Sequence, residues 1–91
     1  MAEKLHVSLV TPEAKLFEGE VDQVVAPGSE GEFGVLANHS PFMTTLAEGP
    51  VVILDGTSKR VFQVRGGFAD VSEDGMTILA ESAEEYLETV H

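Results

Sequence analysis

Ninety-one residues suffice for one domain that buries about 60 to 65% of the surface its unfolded chain exposes, and 43% hydrophobic with 23% charged residues lies outside the disordered class. Sixteen acidic residues against five basic give a formal charge of -11, which argues against nucleic acid or an anionic lipid surface as ligand and for a protein partner with basic patches. The absence of cysteine excludes disulfides, thiolate metal sites and cysteine nucleophiles.

Met1-Ala2-Glu3-Lys4 offers neither a basic n-region with an apolar stretch behind it nor an arginine-rich transit peptide. No apolar run approaches the roughly 20 residues of a membrane helix, so any work at a membrane passes through another protein. Leu5 to Val10 alternates apolar and polar residues until Thr11-Pro12-Glu13 turns the chain, as a half-buried strand does. Lys15 to Glu18 and Val21 to Ala26 predict two more strands, with Gly19 as a bulge or bend between them. Phe33 to Leu36 and Phe42 to Leu46 flank the turn Ala37-Asn38-His39-Ser40-Pro41, and Glu48-Gly49-Pro50 leads into the apolar run Val51-Val52-Ile53-Leu54. Asp55-Gly56 predicts a two-residue hairpin turn of the primed type, with φ > 0 at both central positions, pairing Val51 to Leu54 with Lys59 to Val64. Gly66-Gly67 breaks that strand, Phe68 to Val71 continues, Glu73-Asp74-Gly75 turns, and Met76 to Ala80 closes the set. The pattern of eight to ten short strands at spacings of about 8 to 12 residues predicts an all-β antiparallel sandwich or barrel. Ser82-Ala83-Glu84-Glu85 fits a capping box, so a short helical tail is expected after it.

Gly28, Gly31 and Gly34 space Ser29, Glu30 and Glu32 along an exposed, stiffly shaped acidic tip, with Gly31 expected at φ > 0. The spacing is G-x-x-G-x-x-G with no lysine or helix after it, and its carboxylates would repel a phosphate. His39-Ser40 with Asp70 supplies the residue types of a nucleophilic triad, but adjacent residues on an extended segment point to opposite sides. His6, His39 and His91 lack the spacing of metal ligands. Phe33, Phe42, Phe62 and Phe68 are expected in the core. No catalytic, cofactor or metal site follows from these residues.

Gly28-Ser29-Glu30-Gly31-Glu32-Phe33-Gly34 followed by His39-Ser40-Pro41, together with Phe17-Glu18-Gly19, Gly66-Gly67-Phe68 and Thr77-Ile78-Leu79-Ala80-Glu81, resembles the epsilon subunit of bacterial F-type ATP synthases, called delta in mitochondria. The resemblance extends from about Leu5 to Ala83. It implies a flattened sandwich of two antiparallel sheets over 1–83, followed by a short acidic tail over 84–91 that begins a helix without the C-terminal helical hairpin usual in the family. It implies a non-catalytic subunit of the central stalk, without a cofactor, monomeric when isolated and held at the cytoplasmic face of the bacterial inner membrane through the complex. Its partners would be the gamma subunit, the c-ring and the catalytic head, with no nucleic acid and no direct membrane insertion. Carried over by position, the gamma-facing surface includes Thr11, His39 and Thr44, and the ring-facing loop is Glu30, Gly31 and Glu32. The alternatives from other classes are a free-standing acidic adaptor for a basic protein and a small β-sandwich hydrolase.

Overall fold

A computed structural model describes residues 3–86. Every regular element among them is a strand: β1 Leu5–Val10, β2 Lys15–Val21, β3 Gln23–Gly28, β4 Gly31–Leu36, β5 Phe42–Thr45, β6 Gly49–Asp55, β7 Ser58–Ser72 and β8 Gly75–Tyr86. Alternation decides which side chains turn inward, so Leu5, Val7 and Leu9 on β1, Val24 and Ala26 on β3, and Val51 and Ile53 on β6 are buried. Hydrogen bonding runs in the order β2-β1-β8-β7-β6-β3-β4, and β5 pairs with the second half of β7. The all-β sandwich thus forms as expected, except that β1 and β8 run parallel, from Val7 opposite Met76 to Val10 opposite Leu79. A parallel pair needs a long crossover between its strands, which the whole intervening chain supplies.

The long β7–β8 hairpin belongs to both layers of the sandwich. Phe62 and Val64 face inward on its first half, whereas Ala69 and Val71 do so on its second, so the inward set changes parity between them. The change falls at Gly66 and Gly67, whose φ angles are +70° and +111°. There β7 folds over instead of ending, in a register that holds from Val61 opposite Tyr86 to Ser72 opposite Gly75. The layer before the fold is completed by β6, β3 and β4; the layer beyond it by β5, β1 and β2.

Three further expectations are corrected. Ser82-Ala83-Glu84-Glu85 caps no helix: Ser82 pairs with Arg65 and Tyr86 with Val61, because the first half of β7 presents backbone donors and acceptors that a turn or two of helix would leave unpaired. The remainder of the expected tail, 87–91, lies outside the described residues. The turn at Asp55-Gly56 is shifted by one residue, with Asp55 opposite Ser58 and only Gly56 at positive φ, +61°. Glycine at the first central position suits a type II′ turn. Gly19 lies within β2, while the irregularity falls at Leu9/Val10 against Phe17 and Lys15.

The two layers close where Phe17 meets Phe62 edge-on, ring centroids 6.3 Å apart. Arg60 lies over both rings at 5.1 and 5.3 Å and donates two hydrogen bonds, of 2.8 and 2.7 Å, to the Glu85 carboxylate. Those bonds hold the Glu85 carboxyl below its ordinary value. A lowered folded value means that the stabilisation is complete above the unfolded value of about 4.3 and is lost as pH falls through the folded one. Because solvent screens this partly exposed pair, Glu85→Gln is expected to cost only about 0.5 to 1 kcal/mol at pH 7. The gap between parent and variant, read from urea midpoints, should close as the pH is lowered through the carboxylate range. A gap that persists at pH 2 would mean that Glu85 acts through packing alone.

Candidate functional site

The outer surface of the layer beyond the fold carries an apolar row. The register sets Thr45 opposite Phe68, Phe68 opposite Leu79, and Leu79 opposite Val10, and directly opposed residues share a face. Phe68 therefore does not join the core with Phe62. It is 38% exposed, as is Leu79, and Met43 on the neighbouring strand is 63% exposed. Phe33 and Phe42 pack edge-on at 5.3 Å against the core's margin. Phe68 stands outside because the parity change at Gly66-Gly67 turns Ala69 and Val71 inward instead.

Phe68 forms a ridge between two open depressions. One, of about 420 Å³, is walled by Thr11 and Pro12 on one side and Leu79 on the other. The second, of about 330 Å³, is lined by Met43, Thr44 and Thr45. Thr11 and Thr44, far apart in sequence, line the two depressions beside Phe68, although Thr44 opposes the inward-facing Ala69 and only Met43 and Thr45 of its strand share the outer face with the ring. Thr11 is buried, and its hydroxyl donates to the Ala14 carbonyl at 3.2 Å while accepting from the Ala14 amide at 3.3 Å. Those bonds hold the turn that sets Pro12 in the wall. His39 lines neither depression. It follows Asn38, which adopts φ +63°, and its ring lies 5.2 Å from Phe42.

Gly28 pairs with Gly31 and leaves Ser29-Glu30 at the tip of the β3–β4 hairpin. Gly31 takes φ +134°, the left-handed conformation expected of it, and Glu30 and Glu32 are exposed. The tip does not swing freely. The Ser29 amide donates to the Thr45 carbonyl at 2.9 Å, and the two hydroxyls share a hydrogen bond of 2.7 Å. Thr45 is also the residue opposite Phe68, so one strand holds acidic tip and apolar ridge in fixed relation.

Met43, Phe68 and Leu79 escaped the reading of the sequence, although one signal was present. Met76, Ile78 and Ala80 point inward, so strict alternation sends Leu79 outward, where water favours a polar residue. The triad residue types do not come together: the His39 Nδ1–H donates to the Ser40 carbonyl at 2.7 Å, and Asp70 sits opposite Met43. Among the described residues no three histidine or carboxylate side chains are placed to hold a metal ion. What the face offers is shape, apolar contact and an adjoining negative charge.

Fold and face together define an acidic β-sandwich with an exposed apolar outer face. Residues 4–86 match the family described as ATP synthase, Delta/Epsilon chain, beta-sandwich domain, and the chain belongs to that family. It is similar to the ATP synthase epsilon chain of Caulobacter vibrioides, 66% identical over 82 residues that cover 90% of this chain and 95% of that one. The Hyphomonas neptunium epsilon chain is 64% identical over 84 residues, 91% of this chain but 62% of its own length. The chain thus spans almost all of one relative and about three fifths of the other. Among solved structures it resembles a chain of the Euglena gracilis mitochondrial ATP synthase OSCP/F1/c-ring assembly, with TM-score 0.86 at 25% identity, covering 93% of this chain and 55% of that one. The fold also recurs in the Tetrahymena thermophila mitochondrial ATP synthase central stalk/c-ring, with TM-score 0.76 at 19% identity, covering 91% and 67% of the two chains. No helix among the described residues is long and apolar enough to cross a membrane.

Proposed function

We propose that this domain is a non-catalytic rotor subunit of the central stalk, carrying the rotation of the c-ring, driven by proton flow, to the gamma subunit and the catalytic head during ATP synthesis. It rests at the cytoplasmic face of the bacterial inner membrane, peripheral through the complex. The observation that carries this is the Phe68 ridge between two depressions, one walled by Thr11 and Pro12 and the other by the strand Met43 to Thr45. A subunit that transmits torque needs a stiff, dry contact with the shaft, and an exposed aromatic between two furrows provides one. The gamma subunit takes this ridge, with His39 at the margin beside Phe42. Glu30, Gly31 and Glu32 face the c-ring, and the Ser29–Thr45 bonds keep that tip rigid with respect to the gamma contact. The Euglena neighbour, solved with F1 and c-ring, supports the reading.

The chain should co-purify with the ATP synthase from bacterial membranes; recovery in the soluble fraction alone would favour the adaptor. Replacing Glu30→Gln together with Glu32→Gln should shift stability by less than about 0.5 kcal/mol. It should weaken attachment of a gamma-bound complex to the c-ring, most at low ionic strength, and flatten the salt dependence. If the double variant couples proton flow to ATP synthesis as well as the parent across low and high salt, the carboxylates have no part in ring docking.

A further inference from the structure

Two carboxylates on the ridge face stand without a cation. Alternation sends Phe68 and Asp70 outward on β7 and Leu79 and Glu81 outward on β8, between the buried Ala69, Val71, Ile78 and Ala80. Phe68 opposes Leu79 and Asp70 opposes Thr77 in an antiparallel register. Asp70 and Glu81 therefore lie on opposite sides of the apolar row, each two residues, about 7 Å, along its strand from it. Both are exposed. Glu81 is the single charged residue lining the depression between Thr11 and Leu79. Its carboxylate lies over the fold in the sheet, both oxygens 3.3 Å from where a Cβ on Gly66 would be. Asp70 sits between Met43 and Thr77.

The other charges of this face are matched within the chain or lie beyond the row. Lys15, opposite Val10, is bonded to Glu18, which His6 also meets at 3.1 Å, and Glu20 is 4.0 Å from the same ring. Asp74 belongs to the turn between β7 and β8. Lys59 and Arg65 alternate with Val61 onto the outer face of the other layer, where Arg65 is 3.7 Å from Glu48. Lys4 is held by Asp22 and Asp55, and Arg60 by Glu85. Among the described residues no hydrogen bond or ion pair reaches the carboxylate of Asp70 or Glu81. An element that seats in the depression strips water from Glu81, and contact along the row does the same to Asp70 from the other side. A carboxylate closed in without a partner is costly. The matching charge has to come from outside, and a second copy would bring eleven more negative charges. We propose that Glu81 and Asp70 select the gamma segment that seats on this face. That segment carries lysine or arginine on both sides of the apolar side chains that meet Phe68 and Leu79, one cation for each carboxylate. This rests on the assignment of the ridge to gamma.

Purified gamma subunit, titrated calorimetrically into Glu81→Gln, Asp70→Asn and the double variant, provides the test. Phe68→Ser reports on the ridge, and Glu84→Gln removes the same charge from the outer face of the other layer. Both carboxylates are exposed, so melts of their variants should match the parent. Each single neutralisation is expected to lower affinity about 2- to 5-fold at low ionic strength. The double variant should lose more, and the differences should shrink as salt approaches ~0.5 M. Glu84→Gln should bind as the parent does. If Glu81→Gln and Asp70→Asn bind like the parent across the salt range while Phe68→Ser loses binding, the proposal is overturned and the ridge assignment stands. Losses at the two carboxylates with none at Phe68→Ser uphold the charge selection and remove the ridge assignment. A loss from Glu84→Gln as large as that from Glu81→Gln would mean that net charge alone acts, which also overturns the proposal.

Discussion

Gly67→Ala is expected to cost at least ~3 kcal/mol and to lower the thermal midpoint by roughly 12 to 24 °C in a domain of this size. A Cβ on Gly67 would sit 2.0 Å from the Leu79 carbonyl oxygen and 2.8 Å from the Ala80 Cα. Both neighbours are backbone of the paired strand and cannot rotate away. The φ of +111° adds strain to any residue with a side chain. Relief requires β7 and β8 to separate at the point where the sheet folds over, which would undo the parity change that puts Ala69 and Val71 in the core. Gly56 is the control: it also lies at positive φ, +61°, but a Cβ there meets nothing within 4 Å. Gly56→Asn should stay within about 1 kcal/mol of the parent, since asparagine tolerates this conformation. Thermal melts decide the matter, and a Gly67→Ala midpoint as high as that of Gly56→Asn would mean the fold does not depend on backbone contact at Gly67.

Phe68→Ser should have a different profile: a moderate loss of stability, about 1 to 2 kcal/mol, and a loss of gamma binding of about 2 to 4 kcal/mol, roughly 30- to 1,000-fold in affinity. The ring is 38% exposed in the free chain, so truncation forfeits the part of its burial gained on folding, about 1 to 2 kcal/mol. Docking is different, because Phe68 separates both furrows and its loss merges them into one shallow surface. Calorimetric titration of purified gamma subunit into parent and variant provides the measurement, with a melt of each to confirm folding. If a folded Phe68→Ser variant bound gamma as tightly as the parent, the ridge would not be the docking element, and the apolar face would require another explanation.

Several elements were legible without the structure because they depend on neighbours in sequence. The alternation in Leu5–Val10 and Met76–Ala80 marks strands, since a two-residue period is the only one that sorts those side chains into two faces. Gly28 and Gly31 announced the hairpin tip because a tight turn between carboxylates needs glycine's freedom, and Gly31 indeed lies at φ +134°. The family was legible in the same way, through short motifs whose order along the chain is itself a local property.

What the chain could not declare by itself depends on which strands become neighbours. Periodicity carries no direction, so nothing in Leu5–Val10 or Gly75–Tyr86 foretells that they run parallel. The capping-box residues Ser82 to Glu85 have a local preference for a helix start, but β7 lies alongside and backbone pairing with it overrides that preference. Phe68 looks like a core residue on composition alone; only the fold at Gly66-Gly67, felt against Leu79 on the opposite strand, shows that the inward set has changed parity and that the ring stands outside. The candidate site follows the same division. The tip residues Glu30, Gly31 and Glu32 are contiguous and could be read directly, whereas the row of Thr45, Phe68, Leu79 and Val10 is a product of pairing between β5, β7, β8 and β1. Local alternation determined what each strand would bury against a core, and long-range pairing decided which apolar residues the core had no room for.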